Sequence, residues 1–240
     1  MNSRLILANG PTLRTINLAA LRNSNISVIG INRSYMLYPD SDYLYLQDPV
    51  VVLEMFDLGY TDGRIKALNI ITSKYFLGRL NIELHRNKVT RAEIDRIRDL
   101  IKNEVIEVDS NKAFGLSSPY TLPMAINNNL SRTRDAGCES EIKFYLAGCD
   151  LVNNPTNNHF WQHTHHAQTR QKPSGGSNKR QLFVQFIVMR RLRHYRSKCG
   201  FKVISCSETS KLNVMYPYEP LSQVLGRHGA QGNNTNNYKL

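Results

Sequence analysis

The residues able to do chemistry gather first at Asn9-Gly10-Pro11-Thr12, which breaks the apolar run LILA and precedes an amphipathic stretch. Asn9 can both donate and accept, as contact with a base or a ribose requires. Gly10 lets the backbone approach a ligand, and the turn after it would offer free N–H groups to an anion. The stretch is neither a Walker A loop nor GxGxxG, and taken alone it also reads as a plain tight turn. A second cluster lies in HFWQHTHH, where His159, His163, His165 and His166 fall within eight residues. Imidazole titrates near neutrality, so one of them suits a general base, with Phe160 and Trp161 as an aromatic wall. A solvated loop is the second reading. A metal site is the third, because no Cys or acid lies nearby to complete it.

Asp40-Ser41-Asp42 mimics a metal-holding DxD pair. It precedes DYLYLQD instead of following an apolar strand, and Pro39-Asp40 reads as a turn, so no DxD-bound metal is expected. Seven basic residues from Lys179 to Lys198 lie in a stretch with few acids, alongside Leu182, Phe183, Phe186, Ile187 and Leu192. Half of that pattern is an ordinary surface helix. The excess of arginine suggests a phosphate-facing surface, consistent with a net charge of +12. No nucleic-acid-binding motif accompanies it.

These residues need a scaffold to position them, and the apolar pattern supplies one. Residues 4–8, 26–32, 42–48, 65–71, 142–150 and 201–207 read as strands. Helices are expected from Thr12 as N-cap through Leu21, after Asp48-Pro49, over 90–103 with a Thr90/Glu93 capping box, and over 179–200. Residues 79–86 read as a short peripheral segment. Strands alternating with helices predict an α/β sandwich with a mainly parallel sheet. Ligands of such sheets bind beyond the carboxyl ends of the strands, where Asn9, Asn32, Asp48, Asp150 and Ser205 or Ser207 fall.

With 240 residues, 41% of them hydrophobic, the chain suits a single α/β domain over 1–226. Residues 153–180 are too long and polar for an ordinary connection and read as a lid loop. Residues 227–240 read as a disordered tail. No apolar run reaches the roughly 20 residues of a membrane span, and LILA followed by Asn-Gly-Pro makes no signal-peptide core. Cys138, Cys149, Cys199 and Cys206 stand singly, which suits buried thiols in a reducing cytoplasm.

The ordered set ILANGPTL, VIGINRSY, DYLYLQDPVVV, LSSPYTLPMAI and FYLAGCDLV resembles the small bacterial sialyltransferases of the Campylobacter type and their uncharacterised relatives. In that family the first loop reads NGPSL, the second strand ends in Asn and a third in Asn-Pro. A Thr-Ser-Gly segment opens a helix. The resemblance runs from residue 4 to about 152 and weakly through the last strand. It implies a Rossmann-like GT-A variant fold, a nucleotide-activated sugar as co-substrate with no other cofactor, no metal, and a lid histidine as base. By position, Asn9, Gly10, Asn32 and Asp48 would contact the nucleotide, and Ser117 and Ser118 would sit by the sugar carboxylate or phosphate. A histidine of the 159–166 cluster would be the base, His165 or His166 ahead of His159 and His163. Tyr216 or Tyr218 would flank the phosphate. The family's Arg before Thr-Ser-Gly is Gly115 here, Asp48 stands for an Asn, and the lid differs almost throughout, so neither the sugar nor the acceptor carries over.

The reading is therefore a cytoplasmic, metal-independent glycosyltransferase acting on a hydroxyl of a surface glycan or of modified DNA, either as a monomer or as a homo-oligomer. The alternative is a catalytically inactive α/β protein that binds nucleic acid through its basic surface.

Overall fold

The runs RLIL and IKFYLA become neighbouring strands, and both are buried on both sides. Leu5, Ile6, Leu7, Phe144 and Leu146 have no solvent exposure, as unbroken apolar runs in a parallel sheet require. The computed structural model describes residues 3–46, 51–52, 54–55, 69–73, 90–92, 95, 105–108, 141–151 and 201–229. Its strands are β1 (Ser3–Leu7), β2 (Ser27–Ile31), β3 (Tyr43–Tyr45), β4 (Asn69–Ser73), β5 (Val105–Val108), β6 (Ile142–Ala147) and β7 (Phe201–Ser205). They make one seven-stranded sheet in the order β5-β4-β3-β2-β1-β6-β7. Every neighbouring pair is parallel, so all the carboxyl ends share one edge. The expected α/β architecture with a parallel sheet is what the chain adopts.

Side-chain alternation splits the core into two layers. Ile6, Phe144 and Leu146 pack with Tyr45, Leu212 and Tyr216 on one face. Leu5, Leu7, Tyr145 and Ala147 pack with Leu13, Leu21, Val224 and Leu225 on the other. Each such fully buried side chain contributes about 1.5–3 kcal/mol. From β1 the chain steps outward through β2, β3, β4 and β5. It then returns to the opposite side of β1 with β6 and continues to β7. The β1/β6 junction is therefore the point where strand order reverses, the usual place for a ligand crevice.

Several elements depart from expectation. Thr12 does not cap a helix. Gly10 precedes a 3-10 turn over Pro11–Thr15, and the α-helix is only Leu18–Arg22, capped by Asn17, whose side chain accepts from Ala20 N–H at 2.9 Å. Pro11 presets φ for a tight turn, and the Thr12 hydroxyl is drawn elsewhere. Asn32 does not end a strand. It opens a 3-10 turn, Asn32–Met36, with φ 49°, a left-handed conformation that Asn tolerates. The fourth strand is shifted to Asn69–Ser73, and β5 was unforeseen. Also unforeseen are the 3-10 turn Lys211–Val214 and the helix Leu221–Arg227. Residues 51–52 and 54–55 are helical as expected, as are 91–92 and 95.

The residues 227–229, assigned to a tail, belong to the fold. Asn25 N–H donates to His228 O at 2.7 Å, and Ser24 and Gly229 form an antiparallel bridge. This tie holds the helix Leu221–Arg227 against Leu18–Arg22. The segments 79–86, 153–180, 179–200 and 230–240 lie outside the described residues, and so does most of 90–103.

Two features of this scaffold are testable. Arg33, just past β2, donates through Nε and Nη2 to the two carboxylate oxygens of Glu54, each at 2.6 Å, and both residues are 6% exposed. Breaking a buried ion pair from one side is strongly destabilising, so Glu54→Ala should lose about 3–5 kcal/mol in urea denaturation. His228 stacks edge-on against Tyr145, and burial, followed by the Arg227 charge, lowers its pKa below the ordinary 6.5. The folded chain thus binds this proton less readily than the unfolded chain. Its contribution is present above pH 6.5 and fades as pH falls from there towards the folded value. His228→Phe should flatten the pH dependence of stability over that acidic window, read by denaturation at a series of pH values.

Candidate functional site

At the carboxyl edge of the sheet, the ends of β1, β6 and β7 are bound into one hydrogen-bonded clasp. The Asp150 carboxylate accepts from Thr12 N–H at 2.9 Å and from the Thr12 hydroxyl at 2.6 Å. With its proton committed to Asp150, the Thr12 hydroxyl accepts from the Ser207 hydroxyl, 3.1 Å away. Ser207 in turn accepts from Gly148 N–H at 3.1 Å. Asp150 and Ser207 are each 2% exposed. The β1/β6 ladder runs on past the strands through Ala8 N–H to Ala147 O (2.9 Å) and Gly10 N–H to Gly148 O (2.6 Å).

This geometry answers why a small turn sits between the first strand and the first helix. A Cβ on Gly10 would overlap the Asp150 carboxylate and the Gly148 carbonyl, and a Cβ on Gly148, at φ +68°, would lie 2.5 Å from Leu13 Cγ. Both positions exclude side chains because the two loops touch there. The N–H groups expected to await an anion are engaged within the chain: Gly10 by Gly148, Thr12 by Asp150, and Leu13 by Gly10 O at 3.2 Å. The anion at this turn is the protein's own carboxylate.

Asn9 is placed differently. It is 9% exposed, and its Nδ2 donates to Ile31 O at 3.2 Å, across the β1/β2 boundary. Among the described residues, its buried Oδ1 accepts no hydrogen bond. Leu7 pairs with Gly30 near the ends of β1 and β2, and Asn32 opens the turn that follows β2. The two expected contacts thus follow neighbouring strands at the carboxyl edge.

Asp40-Ser41-Asp42 sits at the opposite edge. Residues 39–40 form a turn, and Asp42 accepts from Val28 N–H at 2.7 Å, at the start of β2. That acid pair anchors the amino end of the sheet, away from the site.

The two tyrosines part company. Tyr216, 2% exposed, packs in the core layer with Phe144 and Val203. Tyr218, 40% exposed, opens on a cavity of about 940 Å³ beside the turn Pro11–Thr15 and the helix Leu221–Arg227. One phosphate cannot be flanked by both. Cys149 is a free, buried thiol as expected, and burial raises its pKa well above the ordinary range. Cys206, partly buried, is pushed to about 12 by burial first and by Glu219 second, which leaves it a thiol at neutral pH. Asp48, Ser117, Ser118, His159, His163, His165 and His166 lie outside the described residues, with Cys138 and Cys199.

The clasp is the part that sequence reasoning missed. Asp150 and Ser207 were visible as polar strand ends, but Thr12 read as a helix cap and nothing local joined it to residues 138 and 195 positions away. Thr12→Val should cost about 1.5–3 kcal/mol, the range for a hydrogen bond to a charged group. Because Ser207 loses its acceptor in the same change, Thr12→Val with Ser207→Ala should cost less than the sum of the single variants in a denaturation cycle. Strict additivity would mean that the two hydroxyls act independently.

No protein-family model and no curated protein matches the chain. Among solved structures it is similar to the sialyltransferase CstII from Campylobacter jejuni in complex with a substrate analogue, cytidine-5'-monophosphate. The identity is 16%, 92% of this chain and 86% of that one are covered, and the TM-score is 0.49. It is also similar to the sialyltransferase CST-II in complex with a trisaccharide acceptor and CMP, at 14% identity, 91% and 86% coverage and a TM-score of 0.46. These are structures of the family whose motifs the sequence resembles.

Proposed function

We propose that the chain is a metal-independent glycosyltransferase, moving a sugar from a nucleotide-activated donor to an acceptor hydroxyl. The observation that carries this reading is Asn9: a buried amide at the carboxyl edge of the sheet, on the β1/β2 side, anchored through Nδ2, with its Oδ1 accepting no bond from the described residues. An unsatisfied buried carbonyl costs about 1–3 kcal/mol, a cost that the exocyclic amine of a base or a ribose hydroxyl would relieve. Asn32, at the start of the turn after β2, supplies a second amide in this reading.

In this reading the acceptor hydroxyl attacks the anomeric carbon in line while the nucleotide phosphate leaves with the bonding electrons. One histidine of the 159–166 cluster removes the hydroxyl proton. Asp48, Ser117 and Ser118 complete the donor pocket. Neither tyrosine takes part, since Tyr216 is core and Tyr218 opens on the cavity and not on Asn9.

The test is a panel of nucleoside mono- and diphosphates and their sugars, read by thermal shift, with duplex DNA at two salt concentrations beside it. A nucleotide should raise Tm, and Asn9→Ala should weaken its binding at least about 10-fold, or roughly 1.4 kcal/mol. The variant should stay folded, because it gives up one neutral hydrogen bond worth about 1 kcal/mol. Stabilisation by DNA alone, falling steeply with salt, would favour the inactive nucleic-acid-binding alternative. Transfer should persist in EDTA. Of the four single His→Ala variants, one should lose about 100-fold or more in turnover, as loss of a general base does.

A further inference from the structure

The cavity opened by Tyr218 is lined by neither Asn9 nor Asn32. It lies on the sheet face covered by Leu13 and Leu225, between the turn Pro11–Thr15 and the helix Leu221–Arg227. Its volume, about 940 Å³, falls in the range of small-molecule sites. The chain carries 31 Lys and Arg against 19 Asp and Glu, yet none of the described lining residues is Lys or Arg, and the one charged group among them is Glu208. Among the described lining residues a phosphate or nucleotide would find no counter-charge.

What the lining does offer is neutral and mixed. Thr209 and Ser222 present hydroxyls, and the Glu208 carboxylate accepts only. Ile16 and Leu221 give an apolar strip, and Tyr218 exposes 40% of its surface at the wall. Hydroxyl partners beside an apolar strip and an exposed aromatic ring match a sugar, whose ring carries hydroxyls at its rim and C–H groups on its face.

Gly226 supplies an independent observation. It lies inside the helix Leu221–Arg227 and on the cavity wall, and a Cβ there would meet nothing within 4 Å. Glycine is unfavourable within a helix, and neither packing nor a left-handed φ calls for it here. A larger side chain at this position would project into that open space.

We propose that this cavity binds a neutral oligosaccharide, at a site separate from the nucleotide-sugar site and independent of whether that site is active. The test is titration of the full chain with lactose, maltose, cellobiose and N,N′-diacetylchitobiose, up to about 10 mM, followed by calorimetry and by amide chemical shifts. At least one disaccharide should saturate, with shifts at Thr209, Ser222 and Gly226. Gly226→Trp, which fills the open wall, and Tyr218→Ala, at an exposed side chain, should each weaken binding at least about 10-fold. Nucleotide binding should be unchanged in both. Tyr218→Ala keeps the result decisive if the tryptophan disturbs the helix. The proposal is overturned if no disaccharide saturates, if Tyr218→Ala binds as the wild type does, or if a nucleotide competes for the same resonances. The donor reading stands or falls separately, on nucleotide binding by Asn9→Ala.

Discussion

One carboxylate holds the functional edge of this protein together. Where the strand order reverses, the loops leaving β1 and β6 stay in contact past the strands, through Ala8 to Ala147 and Gly10 to Gly148. Asp150 locks that contact by taking both the amide and the hydroxyl of Thr12. The Thr12 hydroxyl then orients Ser207, which brings in the end of β7. Three chain segments far apart in sequence are thus fixed by a short run of directional bonds. Hydrogen bonds to a charged group are the stronger kind, and the near absence of solvent at Asp150 and Ser207 keeps them unscreened. The contact requires glycine at 10 and at 148, since the backbones meet where a Cβ would stand. Leu13, fully buried against Gly148, carries the clasp into the hydrophobic layer below.

The clasp divides the edge in two. On the β1/β6/β7 side the polar groups of the clasp are satisfied within the chain, and a negative charge is resident. On the β1/β2 side the Asn9 carbonyl accepts nothing from the described residues, while the Asn9 amide nitrogen is pinned to Ile31. A pinned amide with an open acceptor is organised before any ligand arrives, so little order is lost on binding. The buried pair Arg33–Glu54 stiffens the same side by joining the turn after β2 to the helix after β3. An open acceptor at β1/β2 and closure at β1/β6 fall to adjacent residues, Asn9 and Gly10.

How far this was legible varied with the range of the forces involved. The central strands were plain because β1 and β6 are apolar without interruption, and burial on both faces demands that. Asn9 was legible as a strand-end amide, whereas Asn32, expected to end β2, opens the turn after it. β5 was not, because VIEV is short and follows a helical pattern. The helix Leu221–Arg227 was missed because its seven residues carry a single short stripe, Leu221, Val224 and Leu225, and its place is set by the tie from Asn25 to His228. Thr12 has the side chain of an N-cap, and local rules assigned it that role, but the partner it found is 138 residues away.

Residue order settled what local preference and burial can settle: an α/β chain, buried parallel strands, a turn at Asn9-Gly10, and the Asn9 amide at a strand end. It left open what each polar side chain at that edge would bond. Asp40-Ser41-Asp42 and Asp150 are alike as carboxylates in a string of letters. One caps the amino end of β2 and the other closes the carboxyl edge, and only the register of the sheet makes them opposite. Tyr216 and Tyr218, two residues apart at the edge of β7, end in the core and on a cavity. Hydrogen bonds and burial act over a few ångströms of space, and neighbours in space at a strand-order reversal are far apart in the chain.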